Sequence, residues 1–177
     1  MKPADTEFPA VRLVQYFSNG DDRGGFVKPW IANGLRDQFG DLHEIYCTRS
    51  KRGVLRGLHY QTGPYAQTKY VTCLAGVIED IALDLRSASP TYGKLFRYVL
   101  RGMEGCGVLI PRGFAHAIFA HEDSVAMTCC DNKYAPDHES GVNWKSLDGL
   151  ADLSVTVVSA KDIDLPGWQH GFSCSGM

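Results

Sequence analysis

His59 and Arg56 lie close together in the run Arg52-Gly-Val-Leu-Arg-Gly-Leu-His-Tyr-Gln61, and the histidine is of a type that can carry out proton transfer. Imidazole has an unperturbed pKa near neutral, so a histidine held on a strand can act as a general base, and a β scaffold holds it better than a loop tip. Strict alternation places Val54, Arg56, Leu58 and Tyr60 on one face of that strand, with Leu55, Gly57, His59 and Gln61 on the other. A guanidinium fork such as that of Arg56 matches phosphate or carboxylate oxygens, although it could instead pair with an acid such as Glu79 or Asp84.

The elements that must hold these groups read as mostly β. Nineteen glycines and eight prolines punctuate short β-type runs. Residues 71–74 and 77–85, joined by an Ala75-Gly76 turn, read as a hairpin. Further strands are expected over 94–100, 107–110, 117–120, 124–130 and 154–158. A weak helical period occurs near residues 30–35. Strands about ten residues apart with turns between them suggest a sandwich or jelly-roll barrel. Residues 132–143 read as a polar loop suited to covering an edge or a mouth, and the end, 172–177, reads as frayed.

With 177 residues, 44% hydrophobic and 21% charged, the chain has enough material for one sizeable core, and a single domain spanning 1–177 is expected. A net charge of −2 argues against a general nucleic-acid or anionic-membrane binder, so any anionic partner must be met locally. No run approaches the roughly 20 apolar residues of a membrane span, and the first residues contain no apolar signal-peptide core. Six cysteines form no CxxC pair, and Cys47, Cys73, Cys129 and Cys130 lie in apolar segments. That usage points to a reduced, cytoplasmic setting.

The segment from Gly107 to His116 contains a Pro-x-Gly-x-x-His turn that resembles the second motif of cupin barrels, where it aims a histidine into the barrel mouth. Metal-dependent cupins add a His-x-His and a glutamate on the facing strand. Here that strand offers His59 flanked by Leu58 and Tyr60, so no metal is expected. Gly57 and Gly113 read as backbone devices rather than phosphate loops, because no Gly-rich loop opens a helix.

A wider set of motifs, in order, resembles the dTDP-4-dehydrorhamnose 3,5-epimerases and related epimerases of nucleotide-linked 4-keto sugars. The markers are Gly20-Asp-Asp-Arg-Gly24, Val54-Leu-Arg-Gly-Leu-His-Tyr-Gln61, Gln67-Thr-Lys69, Asp84-Leu-Arg86, Ser89-Pro-Thr-Tyr-Gly93 and Ile110-Pro-Arg-Gly-Phe-Ala-His116. Tyr134-Ala-Pro-Asp-His-Glu-Ser-Gly141, Trp144 and Ser159-Ala-Lys-Asp162 continue the series.

The resemblance implies an all-β, cupin-type jelly-roll barrel with a few short helices, free of metal and cofactor and usually a homodimer, acting on a nucleotide diphosphate sugar. In that likeness His59 is the base, Asp162 orients it, and Lys69 stands near the keto oxygen where an enolate develops. Arg23, Arg56 and His116 match positions that bind substrate, including its diphosphate, and Gln61 and Tyr134 are further candidate contacts. Asp162 could alternatively cap a short turn after Ser159.

Departures accompany the matches. The family's proton-donating tyrosine falls on Thr128, Lys28 stands where an acid is common, and Lys133 replaces an aromatic before Tyr134. A second proton would then come from water, from Tyr134 or Tyr65, or not at all. The expected result is reduced scope, such as a single-carbon epimerase acting at C3 or C5. A keto-sugar isomerase, a non-catalytic nucleotide-sugar binding protein and a metal-dependent cupin oxygenase are the other readings.

Overall fold

The apolar runs assemble into two packed antiparallel sheets in the computed structural model, which describes residues 3–4, 10–29 and 38–169. The larger sheet runs, side by side, β1 (Pro3–Ala4), β2 (Arg12–Gln15), β10 (Cys106–Ile110), β7 (Lys69–Ala75), β12 (Ser124–Cys130) and β5 (Glu44–Ser50). The smaller runs β13 (Glu139–Gly141), β6 (Leu55–Gln61), β11 (Phe114–Ala120), β8 (Val77–Asp84) and β9 (Leu95–Arg101). A separate hairpin pairs β3 (Phe17–Asp21) with β4 (Gly24–Lys28). The helical period near residues 30–35 and the terminal segment 172–177 lie outside the described residues.

Two sequence expectations need correction. Residues 71–74 and 77–85 are strands but not a hairpin: β7 pairs with β10 and β12, whereas β8 pairs with β11 and β9. The chain passes from one sheet to the other at Gly76, whose φ is +73° and whose missing Cβ would sit 2.2 Å from the Asp123 carbonyl oxygen. Only glycine makes that crossing without strain. The segment 154–158 is not a ladder strand either, since one parallel bridge, Val157 to Val54, holds it against the start of β6. Within the loop 132–143, β13 covers the edge of the smaller sheet by pairing with β6.

The core forms between the sheets and on the outer face of each. Val71, Cys73, Val108 and Ile110 of the larger sheet meet Ile78, Ala82, Phe96 and Ile118 of the smaller one in one buried cluster. Leu55, Leu58, Tyr60 and Leu83 pack under the segment carrying Val142, Leu147, Leu150 and Leu153. A fully buried leucine contributes about 1.5–3 kcal/mol through area removed from water. Leu55 and Ile118 of these clusters also line the polar cavity, so core and site share a wall.

Strict alternation along β6 is broken. On β11, His116 lies opposite His59 and Ile118 opposite Arg56, so three steps on β6 face two on β11 and β6 carries one extra residue. The bulge falls at Gly57 and Leu58. It turns Arg56 and His59 toward one cavity, where simple alternation places them on opposite faces.

Candidate active site

The cavity occupies about 450 Å³ between the sheets. His59 and Arg56 reach it from β6, His116 and Ile118 from β11, Lys69 from β7, Thr128 from β12, and Tyr46 and Thr48 from β5. An adjoining lobe of about 300 Å³ shares Tyr46, His59 and Lys69, and adds Gln61, Tyr134 and Glu139.

His59 and Asp162 meet through the local chemistry of a four-residue helix, Ala160–Ile163. The Ser159 hydroxyl accepts the backbone N–H of Asp162 at 3.1 Å, so Ser159 is the cap and the Asp162 carboxylate is left for other work. Asp162 Oδ1 lies 2.8 Å from His59 Nε2, and Oδ2 accepts the Gly57 N–H at 3.0 Å. Burial pushes the Asp162 carboxyl up, but the hydrogen bonds from His59, Gly57 and Ser159 outweigh it and hold the pKa below the usual carboxylate value. An ionised carboxylate only accepts, so Nε2 donates a hydrogen to Asp162 and Nδ1 is the ring nitrogen left outside that pair. Glu139 Oε1 lies 3.8 Å from that Nδ1.

Gly57 is required by this arrangement. Its φ is +119°, and a Cβ would lie 2.4 Å from the His116 carbonyl oxygen. The same residue that makes room for β11 therefore donates to Asp162.

Lys69 projects between the sheets, with Glu139 and Asp80 as nearby charges but no carboxylate in ion-pair contact among the described residues. Burial pushes its pKa down. His116 is buried, with Nε2 at 2.8 Å from Asp80 Oδ2. Arg56 pairs with neither Glu79 nor Asp84, which are taken by Arg97 and Arg86 respectively. It donates instead to the Ser50 hydroxyl at 3.0 Å and the Arg49 carbonyl at 3.2 Å.

Gln61 and Tyr134 border the adjoining lobe, whereas Arg23 lies away from it. The Gln61 amide is consumed by backbone: Nε2 donates to the Tyr65 and Lys133 carbonyls at 2.7 and 3.1 Å, and Oε1 accepts Ala135 N–H at 2.7 Å. It anchors the loop before β13. Tyr134 donates its hydroxyl to Glu139 Oε2 at 2.6 Å, which raises its pKa. Arg23 is outside the cavity altogether, on the tip of the β3–β4 hairpin, 89% exposed and bound to Asp21 at 2.5 Å.

Glu139, Lys161 and Tyr46 were not singled out from the sequence. Lys161 borders the main cavity and pairs with Glu139. Burial pushes Glu139 up, yet hydrogen bonds from Lys161 and Tyr134 outweigh it and lower its pKa. Both residues sat inside quoted motifs, which was the available signal. Tyr46 had none, being a tyrosine in an otherwise unmarked strand.

A cupin-type barrel with an oriented imidazole, a buried ammonium and arginine at one mouth is a scaffold for moving a proton on an anionic substrate. The chain belongs to the dTDP-4-dehydrorhamnose 3,5-epimerase family, an epimerase family of the isomerase class, whose sequence profile matches residues 5–170. It is 34% identical to the dTDP-4-dehydrorhamnose 3,5-epimerase of Shigella flexneri, over 93% of this chain and 94% of that one. The crystal structure of the Bacillus anthracis str. Ames enzyme of that name, with TDP and PPi bound, superposes with a TM-score of 0.86 at 33% identity, covering 94% of this chain and 99% of that one. The epimerase of Legionella pneumophila Philadelphia 1, in complex with dTDP-4-keto-L-rhamnose, gives a TM-score of 0.83 at 29% identity and covers 95% and 98%.

Proposed function

We propose that this protein epimerises a 4-keto-6-deoxy sugar carried on a nucleoside diphosphate, of the dTDP-4-dehydro-6-deoxyglucose type. The observation that carries the reading is the His59–Asp162 pair opening onto the same cavity as Lys69. A C–H bond next to the ketone breaks, its proton goes to His59 Nδ1, and its electron pair moves to the carbonyl oxygen. The Lys69 ammonium stabilises that oxyanion. A proton then returns to carbon from the opposite sheet. Arg56 and Lys161 give the cavity the positive lining a diphosphate needs, and His116 lines it as a further polar contact, despite a net charge of −2 for the chain.

Incubation with the keto sugar in deuterated water tests this. The expected outcome is deuterium beside the ketone in recovered sugar, and its loss in His59→Ala; exchange that survives the substitution removes His59 from the role. Thr128 favours inversion at one carbon, and deuterium at both C3 and C5 with full turnover would contradict that scope.

The working unit we propose is a cytoplasmic homodimer of single-domain chains. The β3–β4 hairpin supports it: Phe17 and Phe26 are exposed there with their rings 6.1 Å apart, and Arg23 is exposed and lines neither lobe of its own cavity. A diphosphate contact from Arg23 is then made in the cavity of the second copy. Sedimentation of the protein and of Phe26→Glu, expected to shift from dimer to monomer, checks it.

A further inference from the structure

We propose that Tyr46 is the acid that returns the proton to carbon, taking over on β5 the role that Thr128 cannot fill on β12. The proposal rests on the epimerase reading above and adds to it the identity of the donor.

Three observations converge. Tyr46 and Thr128 are direct cross-strand partners in the β5–β12 ladder, so their side chains lie side by side on the cavity face of the larger sheet. Thr128 is itself a lining residue of the main cavity, so the position left short by the threonine adjoins the phenol of Tyr46 directly. Tyr46 also borders both the main cavity and its adjoining lobe, each time together with His59 and Lys69. Because His59 belongs to the smaller sheet and Tyr46 to the larger, a sugar ring lying between the sheets meets the base on one face and the phenol on the other. Inversion needs that disposition.

The other hydroxyls considered for the task are less well placed. Tyr134 donates its hydroxyl to Glu139, and Tyr65, whose ring packs against His138 with centroids 4.3 Å apart, lines neither lobe. A threonine hydroxyl is a far weaker acid than a phenol, so Thr128 is a poor donor beside its cross-strand neighbour Tyr46. The ordinary phenol pKa of about 10 keeps the Tyr46 hydroxyl protonated at neutral pH.

In the step, the enolate oxygen's electron pair reforms the carbonyl, the carbon takes the Tyr46 proton, and tyrosinate remains. The tyrosinate regains a proton from water through the exposed side of Tyr46, which is 44% accessible, while His59 releases its own to solvent. No other reactant is needed.

The test compares wild type with Tyr46→Phe on dTDP-4-keto-6-deoxyglucose in deuterated water, following both inverted product and deuterium in recovered substrate. Tyr46→Phe keeps the ring and removes only the hydroxyl, so folding is preserved. The expected result is a loss of inverted product of about a hundredfold or more, with His59-dependent exchange into unreacted substrate retained within about threefold. Exchange without inversion is a signature that a structural role would not produce. Product formation within about threefold of wild type, or exchange lost in parallel with product, overturns the assignment. A wild type that neither exchanges nor inverts overturns the epimerase reading, and this inference with it.

Discussion

His59 and Asp162, 103 residues apart in the chain, meet at 2.8 Å, and the other oxygen of the same carboxylate accepts the backbone N–H of Gly57, two residues before His59. One carboxylate thus clamps both the imidazole and the bulged strand that carries it. Orientation of the base and shape of the strand are coupled through a single side chain.

Replacing Asp162 with Asn removes the charge that obliges His59 Nε2 to hold a hydrogen and lets the ring adopt the other tautomer. The expected cost in kcat is about 10²–10⁴-fold with little change in KM. Steady-state kinetics, beside a circular dichroism spectrum that shows retained folding, check it.

Gly57→Ala places a methyl 2.4 Å from the His116 carbonyl oxygen at a φ of +119°. Strain and overpacking each cost about 1–3 kcal/mol, so a lower urea midpoint is expected. Activity should fall further than stability alone accounts for, because the N–H that braces Asp162 moves as well.

Lys69 should shape the alkaline side of the rate profile. Its pKa is lowered by burial, so the ammonium is lost as pH rises at a point below the ordinary lysine value of about 10.4. kcat is expected to fall there. Lys69→Met should lower kcat by about 10²–10³-fold, as removal of one oxyanion-stabilising donor does. A pH–rate series for wild type and variant reads both effects.

Acid should loosen the turn after β8. Burial pushes Asp84 up, but hydrogen bonds from Arg86, Ser89 and Thr91 outweigh it and bring its pKa down to about 2. A depressed carboxyl stabilises the fold above its unfolded pKa and loses that contribution as pH falls toward the folded value. The window is therefore pH about 4 down to about 2, and the contribution above it is about 2 kcal/mol. Denaturant titrations of wild type and Asp84→Asn at pH 7 and pH 2.5 should show a stability gap at the first that narrows at the second.

The alternating runs were enough to place β8, β10 and β12 and to mark His59 as a base, because alternation and residue chemistry are properties of neighbours along the chain. The expected hairpin at Gly76 failed for the same reason: the residues flanking the turn read alike whether they pair with each other or enter different sheets. The bulge that gathers Arg56 and His59 depends on β11, the engagement of Gln61 depends on backbone around residues 65 and 133–135, and the exposure of Arg23 depends on where its hairpin leaves the barrel. Tyr46 carries no local mark at all; it gains meaning from the strand beside it. Sheet partners, and hence which side chains share a cavity, come from contacts between segments distant in the chain, and periodicity within one segment holds no record of them.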